Sequence, residues 1–189
     1  MKKYHIILAS GSPRRRELMA GLGLDFSVAD KFSVREEYPA SLDPEQVPLF
    51  LAQLKSDFYP LPLDEGHMLV TADTVVILYG KILGKPRSRA EAVDMLERLS
   101  GHRHSVVTGV VMRTRERQES FSEVSQVWFS PLTREEIEYY VDTYKPFDKA
   151  GSYGVQEWIG YAAIERIEGS FYNIMGLPIA TLYRKLKDF

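Results

Sequence analysis

Apolar and polar positions alternate between two rhythms along this chain. Tyr4-His-Ile-Ile-Leu-Ala9 is a short apolar run that reads as a buried strand, and Ser10-Gly-Ser-Pro13 ends it. A helix is predicted to follow, with Ser12 as N-cap, Pro13 at the first helical position and Leu18, Met19 and Leu22 as its apolar stripe, up to Gly21-Leu22-Gly23. Phe26–Val28 reads as a short strand, and the stretch from Asp30 to Ser41 is polar. Val47, Phe50, Leu51, Leu54 and Phe58 then recur at helical spacing behind an Asp43-Pro44-Glu45-Gln46 start signal. Pro48 places the first turn of that helix near itself. Met68–Ala72 reads as a strand that ends at Asp73, followed by an extended Thr74–Tyr79 and a turn at Gly80.

Beyond Gly84-Lys-Pro86, the sequence Ser88 to Glu91 has the form of a capping box. It opens a helix with Ala92, Met95, Leu96 and Leu99 on one face, stopped by Gly101. Two long extended runs, 103–114 and 119–129, predict a hairpin. Thr133 to Glu136 is a second capping box, before Ile137, Tyr140, Val141 and Tyr144. A glycine-bearing loop, Asp148–Gln156, precedes two predicted strands, Ala162–Ile167 and Phe171–Met175. A last helix carries Ile179, Leu182 and Leu186. Early alternation of strands and helices around a central hairpin predicts an α/β fold, a mixed sheet with helices on its faces.

Composition narrows the function classes. The 189 residues suit one large domain or two small lobes sharing a core, and the 44% hydrophobic content suits a globular chain. A net charge of −2 offers no broad basic field for nucleic acid or an anionic membrane. With no cysteine, thiolate metal sites and a Cys nucleophile are excluded, and a reducing cytoplasm fits. No apolar run approaches the roughly 18–20 residues of a membrane span. After Met1-Lys-Lys3 only four consecutive apolar residues occur, too few for a signal-peptide core. Oligomeric state is not readable from the sequence, and a homodimer is the base-rate reading.

Against that background the candidate chemistry is local. Arg14, Arg15 and Arg16 stand at a helix N-terminus, where positive charge is disfavoured. Two readings are open: an anion bound by the Ser10–Pro13 turn and at least one arginine, or three solvated side chains. Asp73, after a buried strand, is either a general base, a ligand for a divalent cation, or a simple turn cap. Glu36 or Glu37 is the carboxylate that could join it, the other being solvated. Lys55 and Lys85 are cations in separate segments, and with Arg14 they would match the charge of a triphosphate. Gln156 carries both a donor and an acceptor, fit for uracil or thymine and, with the amide turned, for cytosine. Tyr153 and Trp158 are read as core aromatics, and His102 and His104 as residues of the hairpin surface.

Six segments together resemble the Maf family of nucleoside triphosphate pyrophosphatases. They are Ala9-Ser-Gly-Ser-Pro-Arg-Arg-Arg16, Ala72-Asp-Thr-Val-Val76, Gly84-Lys-Pro86, Leu99-Ser-Gly-His102, Asp148-Lys-Ala-Gly-Ser-Tyr-Gly-Val-Gln156 and Ile167-Glu-Gly169 with Asn173 and Met175-Gly-Leu-Pro178. They occur in the family's order over nearly the whole chain. The Asp148–Gln156 form is similar to the dTTP/UTP pyrophosphatase branch. The resemblance implies a cytoplasmic hydrolase that uses Mg²⁺ or Mn²⁺ and cleaves dTTP, UTP or modified pyrimidine triphosphates between the α- and β-phosphates. The family's other substrates, a purine or 7-methyl-GTP, form one alternative. A non-catalytic nucleotide-binding regulator of cell division forms another.

The resemblance also implies a fold similar to the inosine triphosphate pyrophosphatase superfamily. That is a long twisted mixed sheet with flanking helices and two lobes around a cleft, with residues 1–189 as a single domain. Asp73 matches the family's proton acceptor, and Arg14, Thr74 and Gln156 match positions that set substrate choice. Ser10, Glu36, Lys55 and Lys85 fall on the family's polar positions; Ser12, in the Ser10–Pro13 turn, joins the residues expected to grip phosphate, and Glu36 is the expected companion of Asp73 as a metal ligand. One departure stands out. The branch carries Gly soon after the glutamine, whereas this chain reads Gln156-Glu157-Trp158-Ile159-Gly160.

Overall fold

A computed structural model describes residues 4–189; residues 1–3, part of the segment judged too short for a leader, lie outside them. In chain order the elements are β1 (His5–Leu8), α1 (Pro13–Ala20), β2 (Phe26–Val28), α2 (Val47–Asp57), β3 (His67–Leu78), β4 (Lys81–Leu83) and α3 (Arg89–Leu99). They continue with β5 (Arg103–Arg113), β6 (Gln118–Phe129), α4 (Arg134–Tyr144), α5 (Trp158–Ala163), β7 (Ile164–Glu168), α6 (Phe171–Met175) and α7 (Ile179–Asp188). The strands hydrogen-bond in the order β2-β1-β3-β5-β6-β7, with β4 on β3, which makes a seven-stranded mixed sheet.

Two compact units divide the chain. The first comprises the chain up to Asp73, Thr108–Glu123 and Gly176–Phe189. Here β1 pairs in parallel with both β2 and β3, Ile6 lying opposite Phe26 and Met68. Leu8, Met19, Val47, Ala52, Leu69, Val111 and Leu182 are among its fully enclosed side chains. Helix α2 lies directly on β5, because Gly109 lets the backbones meet: a Cβ there would stand 2.3 Å from Leu49 N and Cα. Thr71, wholly buried, donates its hydroxyl to the Ala52 carbonyl at 2.7 Å and so ties β3 to the same helix.

The second unit comprises Thr74–Val107 and Val124–Met175. The last residues of β3 pair antiparallel with β4 across a turn at Tyr79 and Gly80, whose φ values of 50° and 72° fit a type I′ hairpin. β6 pairs antiparallel with β7, Val127 opposite Ile167. Helix α4 starts on a complete capping box, Thr133 with Glu136. Ser88 caps α3 in the same way, but Glu91 turns its carboxylate to the Arg87 N–H at 2.7 Å instead of closing the box.

Three expectations are corrected. Phe171–Met175 is a helix rather than a strand: Gly169 at φ 116° redirects the chain, and the Ser170 hydroxyl accepts the Asn173 N–H at 3.2 Å as an N-cap. Trp158–Ala163 is also helical, so β7 begins only at Ile164. His104 is not a surface residue. It is 2% exposed, bonds Tyr153 Oη through Nε2 at 2.8 Å, and meets the Phe129 and Tyr153 rings edge-on. Its burial pushes the imidazole pKa down to about 4.

Candidate active site

Asp73 does not end a strand. It sits inside the continuous twelve-residue β3, with neither Gly nor Pro to interrupt the run from His67 to Leu78. Its side chain is 14% exposed, and its Oδ1 lies 2.5 Å from Lys55 Nζ. Lys55, from the last turn of α2, reaches Glu36 Oε1 as well, at 3.0 Å. Of the two adjacent glutamates, Glu36 makes this contact, while Glu37 pairs with Arg35 on the surface. Two carboxylates from a loop and a strand therefore converge on one ammonium.

The arginines at the head of α1 complete the group. Ser12 is the N-cap and accepts the Arg15 N–H, with Pro13 at the first position. Ser10 Oγ accepts the Ser12 N–H at 3.2 Å, which fixes the turn. Arg15, for which the sequence leaves an anion ligand or a solvated side chain open, turns inward. Its Nε donates to the Gly176 carbonyl at 2.7 Å, and its Nη1 donates to the Ala72 carbonyl at 2.9 Å and reaches Ser10 Oγ at 3.5 Å. Burial lowers the Arg15 pKa from the usual guanidinium value, Asp73 opposes that shift, Arg14 adds to it and Glu36 again opposes it. Arg14 is half-buried, and exposed Arg16 bonds the Gly11 carbonyl. The electrostatic neighbourhood of Arg15 thus holds Arg14, Asp73 and Glu36, and with Lys55 on both carboxylates the first unit gathers three cations against two carboxylates. A polyanionic ligand fits that excess.

Thr74, Lys85 and Gln156 belong to the second unit. Thr74 follows Asp73 on β3 and is half-buried. Lys85 is exposed in the loop after β4. That loop is held to the glycine-bearing one, since Gly151 N–H donates to the Gly84 carbonyl at 3.1 Å. Gly151 adopts φ 67° against Val76, where a Cβ would stand 2.9 Å from a methyl carbon. Gln156 is half-buried, and its Oε1 is enclosed without a hydrogen-bond donor among the described residues. Tyr153 packs in the core, and half-buried Trp158 meets the Tyr139 ring edge-on at 5.2 Å.

Among the described residues no cluster of three or more His, Asp or Glu side chains is placed to hold a metal on its own. The two carboxylates on Lys55 do suit a hard cation that takes its remaining ligands from water and phosphate, as Mg²⁺ commonly does. No helix among the described residues is long and apolar enough to cross a membrane.

A seven-stranded mixed sheet with flanking helices defines an α/β protein of the Ham1 type of fold. The Ham1 protein of Coxiella burnetii superimposes with a TM-score of 0.50 at 13% identity, over 98% of this chain and 100% of that one. The chain belongs to the Maf family, whose model, described as Maf-like protein, matches residues 5–189. A protein of Porphyromonas gingivalis is 54% identical across 100% of this chain and 96% of its own length, and one of Bacteroides thetaiotaomicron is 55% identical across 99% and 97%. Both bear the name dTTP/UTP pyrophosphatase.

Proposed function

We propose that this protein is a dTTP/UTP pyrophosphatase, a hydrolase that converts the nucleoside triphosphate to its monophosphate and diphosphate. The observation that carries this reading is identity of 50–55% over essentially full length with proteins so named. The charged group on the first unit supports it. Asp73 takes the proton of the water that attacks the α-phosphorus, and Lys55 fixes the position of its carboxylate. Arg14 binds phosphate oxygens beside the Ser10–Ser12 turn, and Lys85 supplies further positive charge. Asp73 and Glu36 would hold Mg²⁺ or Mn²⁺, which would neutralise phosphate charge when bound. Thr74 and Gln156 select the base, the enclosed Gln156 Oε1 accepting from the N3–H of uracil or thymine. Residues 1–189 act as one domain, at home in the cytoplasm, with a homodimer as the working assembly.

The test is diphosphate release from each of the common nucleoside and deoxynucleoside triphosphates, with Mg²⁺ and with Mn²⁺. Turnover highest on dTTP and UTP is the expected result. Tight binding without turnover, or a preference for purines, would overturn it.

A further inference from the structure

The departure after Gln156 has a structural role. Glu157 is 19% exposed at its side chain, and three groups of the second unit close on it. Lys149 Nζ lies 3.2 Å from its Oε1. The Tyr140 hydroxyl donates to its Oε2, and the same hydroxyl accepts the Gly154 N–H at 3.0 Å. Gly154 itself has no room for a side chain, because a Cβ there would stand 2.8 Å from Glu157 Cδ. Lys149 is only 7% exposed, with Asp148 Oδ1 at 2.8 Å as its other carboxylate. One carboxylate therefore joins α4, the start of the loop and its middle, immediately beside Gln156.

A buried ion pair in a protein interior contributes little net stability, since desolvating both charges offsets their attraction. Its effect is geometric: hydrogen-bonded at fixed points, it permits one arrangement of the segment that bears it. Gln156 directly precedes Glu157, and its Oε1 finds no donor among the described residues. We infer that Lys149, Glu157 and Tyr140 are positioning residues for base selection, a charged clamp that presents the Gln156 amide to the pyrimidine edge. This rests on the base-reading role given to Gln156 under Proposed function. A chain with Gly at 157 must hold that amide by other means.

The experiment compares Glu157→Gln, Lys149→Met and Tyr140→Phe with the parent and with Gln156→Ala. KM and kcat are measured on dTTP, UTP, dCTP and dGTP, and thermal melting on each variant. The clamp predicts that KM for dTTP rises and that the dTTP-to-dCTP ratio of kcat/KM falls by about tenfold, the scale of one hydrogen bond. Tyr140→Phe keeps the ring packing, so it carries the test if removal of a charge prevents folding. Variants that melt lower yet keep the parent's base ratio would overturn the inference. If Gln156→Ala changes the ratio and the clamp variants do not, the inference alone fails. If Gln156→Ala leaves the ratio unchanged, the base-reading role fails and the inference with it.

Discussion

Lys55 Nζ and Asp73 Oδ1 stand 2.5 Å apart, so the carboxylate read as a free base or metal ligand is already held by an internal cation. Asp73→Asn is isosteric and keeps an oxygen for Lys55 to bond. Turnover on dTTP should fall by about 10²–10⁴-fold, the range of a lost general base, while the melting temperature stays near that of the parent. Diphosphate release and a thermal melt on the same preparation check both halves.

Lys55→Met should behave differently, because it removes the ammonium that bonds both Asp73 and Glu36. Both activity and stability should fall. Glu36 is half exposed, so the stability loss should be about 1–3 kcal/mol, below that of a fully buried pair. Urea unfolding measures it, and a Lys55→Met protein as stable as the parent would remove the pair from the account.

The arginines at the head of α1 should separate by role. Arg14→Gln should lose far more activity than Arg16→Gln, whose side chain is exposed. Arg15→Met should lose stability, because the Ala72 and Gly176 carbonyls each lose a charged donor, at about 1.5–3 kcal/mol for each bond. Chemical denaturation and turnover measured on the three single variants test the division.

Acid should weaken the fold through His104. Its folded pKa of about 4 lies below the unfolded value of roughly 6.5, so the unfolded chain binds more protons in that interval. The contribution is fully present above about pH 6.5 and is lost as pH falls towards 4, by about 3 kcal/mol in all. Urea midpoints from pH 4 to 7 should show this limb, and His104→Gln should flatten it.

Gly109 and Gly11 make a matched pair. A Cβ at Gly109 meets backbone of α2 at 2.3 Å, whereas one at Gly11 meets nothing within 4 Å. Gly109→Ala should cost roughly 1–3 kcal/mol or prevent folding, as overpacking does, and Gly11→Ala should leave the melting temperature almost unchanged.

What was legible in the sequence was local. The Ser12 cap, the Thr133–Glu136 box and the hairpin over Thr114–Arg117 are settled by residues a few positions apart, and the structure has each of them. Phe171–Met175 does not show itself as a helix because five residues are too short to display helical periodicity, and its decisive signal is a single serine cap. The inward turn of Arg15 has no local signature at all, since its two carbonyl acceptors lie 57 and 161 positions along the chain. The clamp on Glu157 is equally silent: three polar residues on a helix and a loop match no pattern until the fold brings them together. His104 looked like a hairpin residue beside His102, and only tertiary packing against Tyr153 and Phe129 puts it inside.

The bond from Arg15 to the Gly176 carbonyl has a meaning for the chain's birth. A ribosome delivers Arg15 first and Gly176 some 161 residues later, so until then the guanidinium lacks one of its two carbonyl acceptors. The arginine beside Asp73 can settle only when that late segment has emerged. A chain not yet grown to Gly176 would thus hold the acidic and basic residues of the site without their final arrangement, and competence to hydrolyse nucleotides would wait for that segment.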